Sequence, residues 1–448
     1  MPGMIARYAY WPERQTHRRV WALAWPMMLS NITVPLLGLV DTAVMGHLPE
    51  PHYLGAIAIG GMLFSILYWT FGFLRMGTTG LVAQAHGRDD GSAIRTYLGQ
   101  SLVIGLVIGG MIILLRSPLT EAALHLAGAA EDVTSQARLY AEIRAWSAPA
   151  VLCNFALLGW FVGNQNTRIP LLLLTVTNLV NILLNLLFVF GFGMRADGVA
   201  LGTVCAEYFS LAIGIWFCRR ILLQTSGEFM MRQLLRFKDY AALFQVNRYL
   251  FVRTVVLLMA FAFFTAQGAR QGTDILSANA VLLNFLVLIS NALDGFAHAI
   301  EALTGRSLGK KDRRHFYQVI TSAAIWSLVS ALLMTLFFWS GGNLIISMLT
   351  DIPQIRYEAS TYLPWLIALP LIGVWSFLLD GIFIGTTQVK AMQNTMLLSV
   401  FAVFLPAWWL SQSLGNHGLW LAFCSLFFAR GATGAYVYWR LCQHDRWW

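Results

Sequence analysis

Of the chain's 448 residues, 58% are hydrophobic and 11% charged, which excludes a soluble globule and indicates an integral membrane protein. The formal net charge of +9 gives no reason to expect a nucleic-acid partner, because the Lys and Arg concentrate in connections on one side of the membrane and topology accounts for them. No nucleophile with a base and no metal-ligand spacing argues for an enzyme, a cofactor or a bound metal.

In chain order, residues 1–22 carry Arg7, Arg14, Arg18 and Arg19 without an apolar core. They read as a cytoplasmic lead-in rather than a cleaved signal peptide. Twelve runs of membrane-spanning length follow, at about 23–46, 53–76, 94–115, 141–163, 169–192, 196–218, 245–267, 276–300, 318–340, 362–385, 391–411 and 418–440, each long enough to cross hydrocarbon as a helix. The basic residues Arg116, Arg138, Arg195, Arg270 and Arg356 fall on the side opposite the lead-in. Most of the others lie on the side of the lead-in, which places both termini in the cytoplasm. A stretch of 219–244 links a six-helix bundle over 23–218 to a second over 245–440, and 441–448 form a cytoplasmic tail. The expected fold is all-α, twelve transmembrane helices in two six-helix bundles.

The two bundles look like copies. A shift of 222 residues brings Leu54, Ala56, Ala58, Phe64 and Gly87 onto Leu276, Ala278, Ala280, Leu286 and Gly309, and it also brings Tyr140, Gly159, Phe161, Gly163 and Arg168 onto Tyr362, Gly381, Phe383, Gly385 and Lys390. One offset serving two distant stretches argues for internal duplication. With an even number of helices per half, the pseudo-twofold axis lies along the membrane normal, an arrangement suited to alternating access.

The first span carries one charge, Asp41, with Pro26, Pro35 and Gly38 in the same run. A carboxylate in hydrocarbon costs roughly 2.5–3.5 kcal/mol on insertion scales, so one that persists generally faces protein or water. Proline removes a backbone donor and clashes one turn back, so Pro26 gives this helix a place to bend. In the fifth span Asn178, Asn181 and Asn185 share a face, and Thr203 of the sixth span is expected at a similar depth; Tyr140 begins the fourth span and Asn154 lies near its middle. Amides and hydroxyls donate to an ionised acid and accept from a neutral one, so such a cluster suits a carboxylate that changes protonation. The alternative is that the asparagines are interhelical glue.

In the second half Asn284, Asn291, Asp294, His298 and Glu301 line one face of the eighth span, and Asp380 lies on the tenth. These acids could relay protons, or they could form an ion-pair network with Arg253 of the seventh span.

The opening helix WALAWPMMLSNITVPLLGLVDTAVMGHL followed by LGAIAIGG, within two six-helix halves, resembles the multidrug and toxic compound extrusion (MATE) family, and within it the DinF-type branch. That resemblance implies a proton-binding role for Asp41, helix bending at Pro26, and a surrounding polar cluster that includes Tyr140, Asn154, Asn181 and Thr203. Some relatives have a second aspartate on the fifth helix where this chain has Asn185. The sodium-coupled branch uses a glutamate on the seventh helix with an aspartate on the tenth; Asp380 resembles the latter, but the seventh helix here carries Arg248 and Arg253 and no acid. The resemblance therefore implies a monomeric antiporter of the bacterial cytoplasmic membrane that exchanges external protons for lipophilic, often cationic compounds. A sodium-coupled antiporter and a flippase for lipid-linked precursors are the alternatives. Membrane lipids are the other expected partners.

Overall fold

A computed structural model describes residues 11–46, 52–127, 131–228 and 231–448. For residues 34–46, 52–54, 126–127, 132 and 231–232 the backbone alone is described. The described residues contain helices and no strand. This is what hydrocarbon requires, since a helix satisfies its backbone N–H and C=O groups within one segment. Ten stretches among the described residues are long and apolar enough to cross a membrane. Together with α1 (Arg14–Gly46) and the last helix, Asn416–Gln443, they cover all twelve expected spans.

The chain divides into two compact units. One comprises Leu29–Phe244; the other joins the chain through Met28 to Gln245–Trp448. These are called the amino-terminal and carboxy-terminal units below. The division falls inside α1, just beyond the buried Pro26. The early part of α1 is packed within the carboxy-terminal unit. There Trp21 meets Phe296 and Trp326 edge-on, His17 Nδ1 accepts from the Trp326 indole at 3.0 Å, and Gly295 leaves room for Met28.

The amino-terminal unit continues with α2 (His52–Thr70), α3 (Phe73–Gly87), α4 (Gly91–Leu114), α5 (Arg116–Ala127), α6 (Glu131–Arg144), α7 (Ala148–Gly163), α8 (Arg168–Leu186) and α9 (Ala196–Gln224). The carboxy-terminal unit contains α11 (Ala241–Arg270), α12 (Thr273–Gly309), α13 (Arg313–Leu349), α14 (Pro353–Gly385), α15 (Val389–Leu398), α16 (Leu405–Leu410) and α17 (Asn416–Gln443), with the short α10 (Met231–Leu235) before α11.

The duplication is visible in atomic detail. In the amino-terminal unit a Cβ on Gly159 would come within 2.3 Å of the Arg75 carbonyl, and one on Gly163 within 2.9 Å of the Thr79 carbonyl. Shifted by 222 residues, Gly381 would meet the Ala297 carbonyl at 2.7 Å and Gly385 the Glu301 carbonyl at 2.5 Å. The same register of small residues therefore lets α7 approach α3 and α14 approach α12, as is usual where membrane helices pack closely. The turns repeat as well. Asp89 and Lys311 adopt positive φ (54° and 59°), as do Gln165 and Thr387 (60° and 57°). The next residue in the first pair of turns caps a helix in each unit: Asp90 accepts from the Ala93 N–H and Asp312 from the His315 N–H.

The link between bundles is docked rather than free. Arg95 donates to the carbonyls of Leu222 (2.5 Å) and Thr225 (2.8 Å), satisfying the open end of α9, and Thr96 bonds Gln233. At Gly91 any side chain would strike the Ser226 carbonyl.

Candidate functional site

The polar face expected on the fifth span is present on α8, and it separates into two parts. Asn185 donates to Asn181 (3.0 Å), Asn181 donates to the Thr203 hydroxyl (2.9 Å), and Thr203 donates to the Val199 carbonyl (3.0 Å). All three side chains are fully buried. Gly202 allows the approach, since a Cβ there would lie 2.2 Å from Asn185 Oδ1. A chain of hydrogen bonds in low dielectric polarises its members in one direction and holds α8 against α9. Asn178 turns elsewhere and donates to the Thr33 carbonyl of α1 at 3.1 Å.

Tyr140 is buried in an apolar cluster with Ile57, Val189, Ala196, Val199 and Ala200, against Gly60. Asn154 is buried and donates its amide both to the Glu207 carboxylate (3.0 Å) and to the Glu207 backbone carbonyl (3.2 Å). The Arg144 guanidinium acts on Glu207 through space. Close by, the Tyr68 and Ser147 hydroxyls bond at 2.9 Å, and Tyr68 feels the charges of both Arg144 and Glu207. Glu207 was not among the sequence-level candidates. Its signal is an acid one helical turn beyond Thr203, between Asp197 and Arg219 at the two ends of α9.

Asp41 lies on α1, but its side chain falls outside the described residues. Pro26 is buried, and α1 runs helically past it.

In the carboxy-terminal unit one Asp380 carboxylate oxygen receives Arg253 of α11 at 2.5 Å and Arg430 of α17 at 2.7 Å. Both guanidiniums are over nine-tenths buried, and Arg430 also feels the charge of Asp294. The sequence suggested the Arg253 pairing; Arg430 is the added partner. His298 bonds the Asp294 carbonyl one turn back on its own helix through Nδ1. Glu301 is buried where α14 crosses α12. Deeper in this unit Asn279 and Asn416 exchange two amide hydrogen bonds of 2.9 Å, and the Trp420 indole donates to the same Asn279 oxygen. Among the described residues no group of three His, Cys, Asp or Glu side chains converges to hold a metal ion.

Phe161 and Phe285 are fully buried core. Phe261 and Phe263 pack edge-on against Phe423 and against Phe404 and Trp408.

The MatE family model matches this chain twice, at residues 26–187 and 250–409, once in each copy of the duplication. DNA damage-inducible protein F of Escherichia coli K12 is 43% identical over 432 residues, covering 96% of this chain and 94% of that protein. "Probable multidrug resistance protein NorM" of Thermotoga maritima is 23% identical, covering 89% and 87%. Among solved structures, a MATE transporter in complex with MaD3S superposes with a TM-score of 0.86 at 16% identity, covering 96% of this chain and 97% of that one. A double match at the duplication register, on an all-helical membrane fold with buried polar chains, makes this protein a member of the MatE family of multi-pass multidrug efflux transporters, which are not enzymes.

Proposed function

We propose that the protein is a proton-coupled antiporter of the bacterial cytoplasmic membrane, with both termini cytoplasmic, that works as a monomer and expels lipophilic cationic compounds by alternating access. The observation that carries the choice of proton over sodium is the state of Asp380. In the sodium-coupled branch the corresponding aspartate is implied to share its site with a glutamate on the seventh helix. Here two arginines converge on that carboxylate, so internal cations take the place of an exchangeable one. A sodium ion would have to displace a guanidinium at 2.5 Å and leave it buried without its counter-charge, which is strongly unfavourable. The exchangeable charge then falls to Asp41. The flippase alternative, which would need a strongly basic cavity, is disfavoured because Arg253 and Arg430 are engaged by Asp380.

Pro26 fits the moving part of this scheme. Contacts assign α1 to different units on either side of Met28, so a bend near Pro26 would shift the segment bearing Asp41 without unpacking Trp21 or His17. A proton can drive such a bend only through its differential affinity for the two states.

The test is ethidium uptake into inverted vesicles or proteoliposomes holding the purified protein. Replacing sodium with choline at constant pH should leave transport unchanged, and collapsing the pH gradient should stop it. Transport that needs sodium and survives loss of the pH gradient would move the coupling to a sodium site.

A further inference from the structure

Asn154 and Glu207 form a second polar centre within the amino-terminal unit, apart from the Asn185–Asn181–Thr203 chain. We propose that Glu207 is a second proton-exchanging carboxylate of this transporter, with Asn154 as the group that accommodates both of its charge states. The proposal rests on the proton-coupled reading above.

Three observations carry it. Glu207 sits near the middle of α9, a span of 29 residues, where an ionisable group is costly unless it has a use. Its side chain is half-buried, packed by neighbours rather than sealed among them. Its main partner is an amide, which serves either protonation state, and not a fixed charge in direct contact. Asn154 now donates to the carboxylate, as an ionised glutamate requires, while its own Oδ1 is buried with no hydrogen-bond partner. A buried acceptor left open is unfavourable, and the proton of a neutral Glu207 would fill it after rotation of the amide. Asp380 offers the contrast: two guanidiniums converge on one of its carboxylate oxygens.

The surroundings give the exchange a consequence. From α6 the Arg144 charge acts on Glu207, and from α2 Tyr68, bonded to Ser147, adds a titratable hydroxyl on which Tyr140 also acts. With Glu207 ionised, its charge offsets that of Arg144. A proton taken from water on one side makes this centre more positive by one charge, and its release to the other side reverses the change. A cationic substrate is therefore repelled by the protonated state and tolerated in the ionised state, which is the sign an antiporter needs. Thr203, one turn earlier on α9, joins this centre to the amide chain through the helix they share.

Two measurements test the proposal on the full-length protein. The first follows proton release in weak buffer when ethidium is added to the purified protein. Glu207→Gln keeps an acceptor for Asn154 and should lower the protons released per ethidium by about half if it shares the load with Asp41; Glu207→Asp should restore part of the loss. A wild type that releases no protons would overturn the antiporter reading itself. A wild type that releases them while Glu207→Gln gives the same count and pH profile would overturn this proposal alone. The second needs no variant. Dicyclohexylcarbodiimide modifies protonated carboxyls in apolar surroundings, so labelling of the Glu207 peptide, read by mass spectrometry, should fall as pH rises and fall again with ethidium. Labelling that is absent or indifferent to pH would overturn the assignment.

Discussion

The two units share a backbone plan to within single turn residues, yet treat charge in opposite ways. In the carboxy-terminal unit Asp380 is gripped by Arg253 and Arg430, a closed arrangement of two buried guanidiniums on one carboxylate. In the amino-terminal unit the polar groups are mainly amides and hydroxyls, with Glu207 held by Asn154 and with Asn154 Oδ1 left open. Duplication supplies two like frames, and the side chains on them differ: one frame is pinned electrostatically, the other holds its acid through an amide. The backbones bear the same mark. Where α12 continues unbroken through Asp294, the first copy is interrupted between α2 and α3 at the equivalent Gly72.

The contrast predicts unequal results from matched substitutions. The largest effect is expected on transport. Asp41→Asn removes a costly charge, so it should insert and fold normally yet abolish ethidium efflux driven by a pH gradient; wild-type efflux from this variant would remove the distinction between the units. Next, Asp380→Asn leaves two buried guanidiniums without their carboxylate and should cost about 3–5 kcal/mol of stability, seen as a lower unfolding temperature in detergent. Replacing Asp380, Arg253 and Arg430 together by leucine and methionine should recover most of that stability. An Asp380→Asn protein of normal stability that no longer transports would instead make Asp380 a working ion site. Smaller and symmetrical effects should follow where the frames are alike: Gly159→Val and Gly381→Val each force a Cβ onto a carbonyl and should each cost about 1–3 kcal/mol. A large effect at one glycine and none at the other would show that the frames are not mechanically equivalent. Smallest on transport, Asn279→Ala removes three interhelical hydrogen bonds, each worth about 0.6 kcal/mol in membranes, and should cost stability with efflux retained.

Much of this was readable in the residues. The twelve spans follow from apolar length, and the duplication from one offset. The buried chain on α8 follows from Asn181 and Asn185 at helical spacing, because amides in hydrocarbon must find partners. Arg253 with Asp380 was legible for the same reason, although 127 residues separate them. The partners of Asn154 and the part of Arg430 were not. Both depend on which face of α9 or α17 turns inward, and an apolar helix with polar residues spread around it does not declare its face. The division of α1 between units was hidden as well, since it is set by contacts made hundreds of residues later.

That last feature bears on how the protein is made. The residues that hold the start of α1, Gly295, Phe296, Ser322 and Trp326, leave the ribosome roughly 15–60 s after it, at synthesis rates of about 5–20 residues per second. During that interval the first helix has its later portion matched to the amino-terminal unit while Trp21 and His17 await partners not yet translated. Assembly of this transporter therefore cannot proceed strictly half by half: completion of the second bundle is also the step that seats the beginning of the chain.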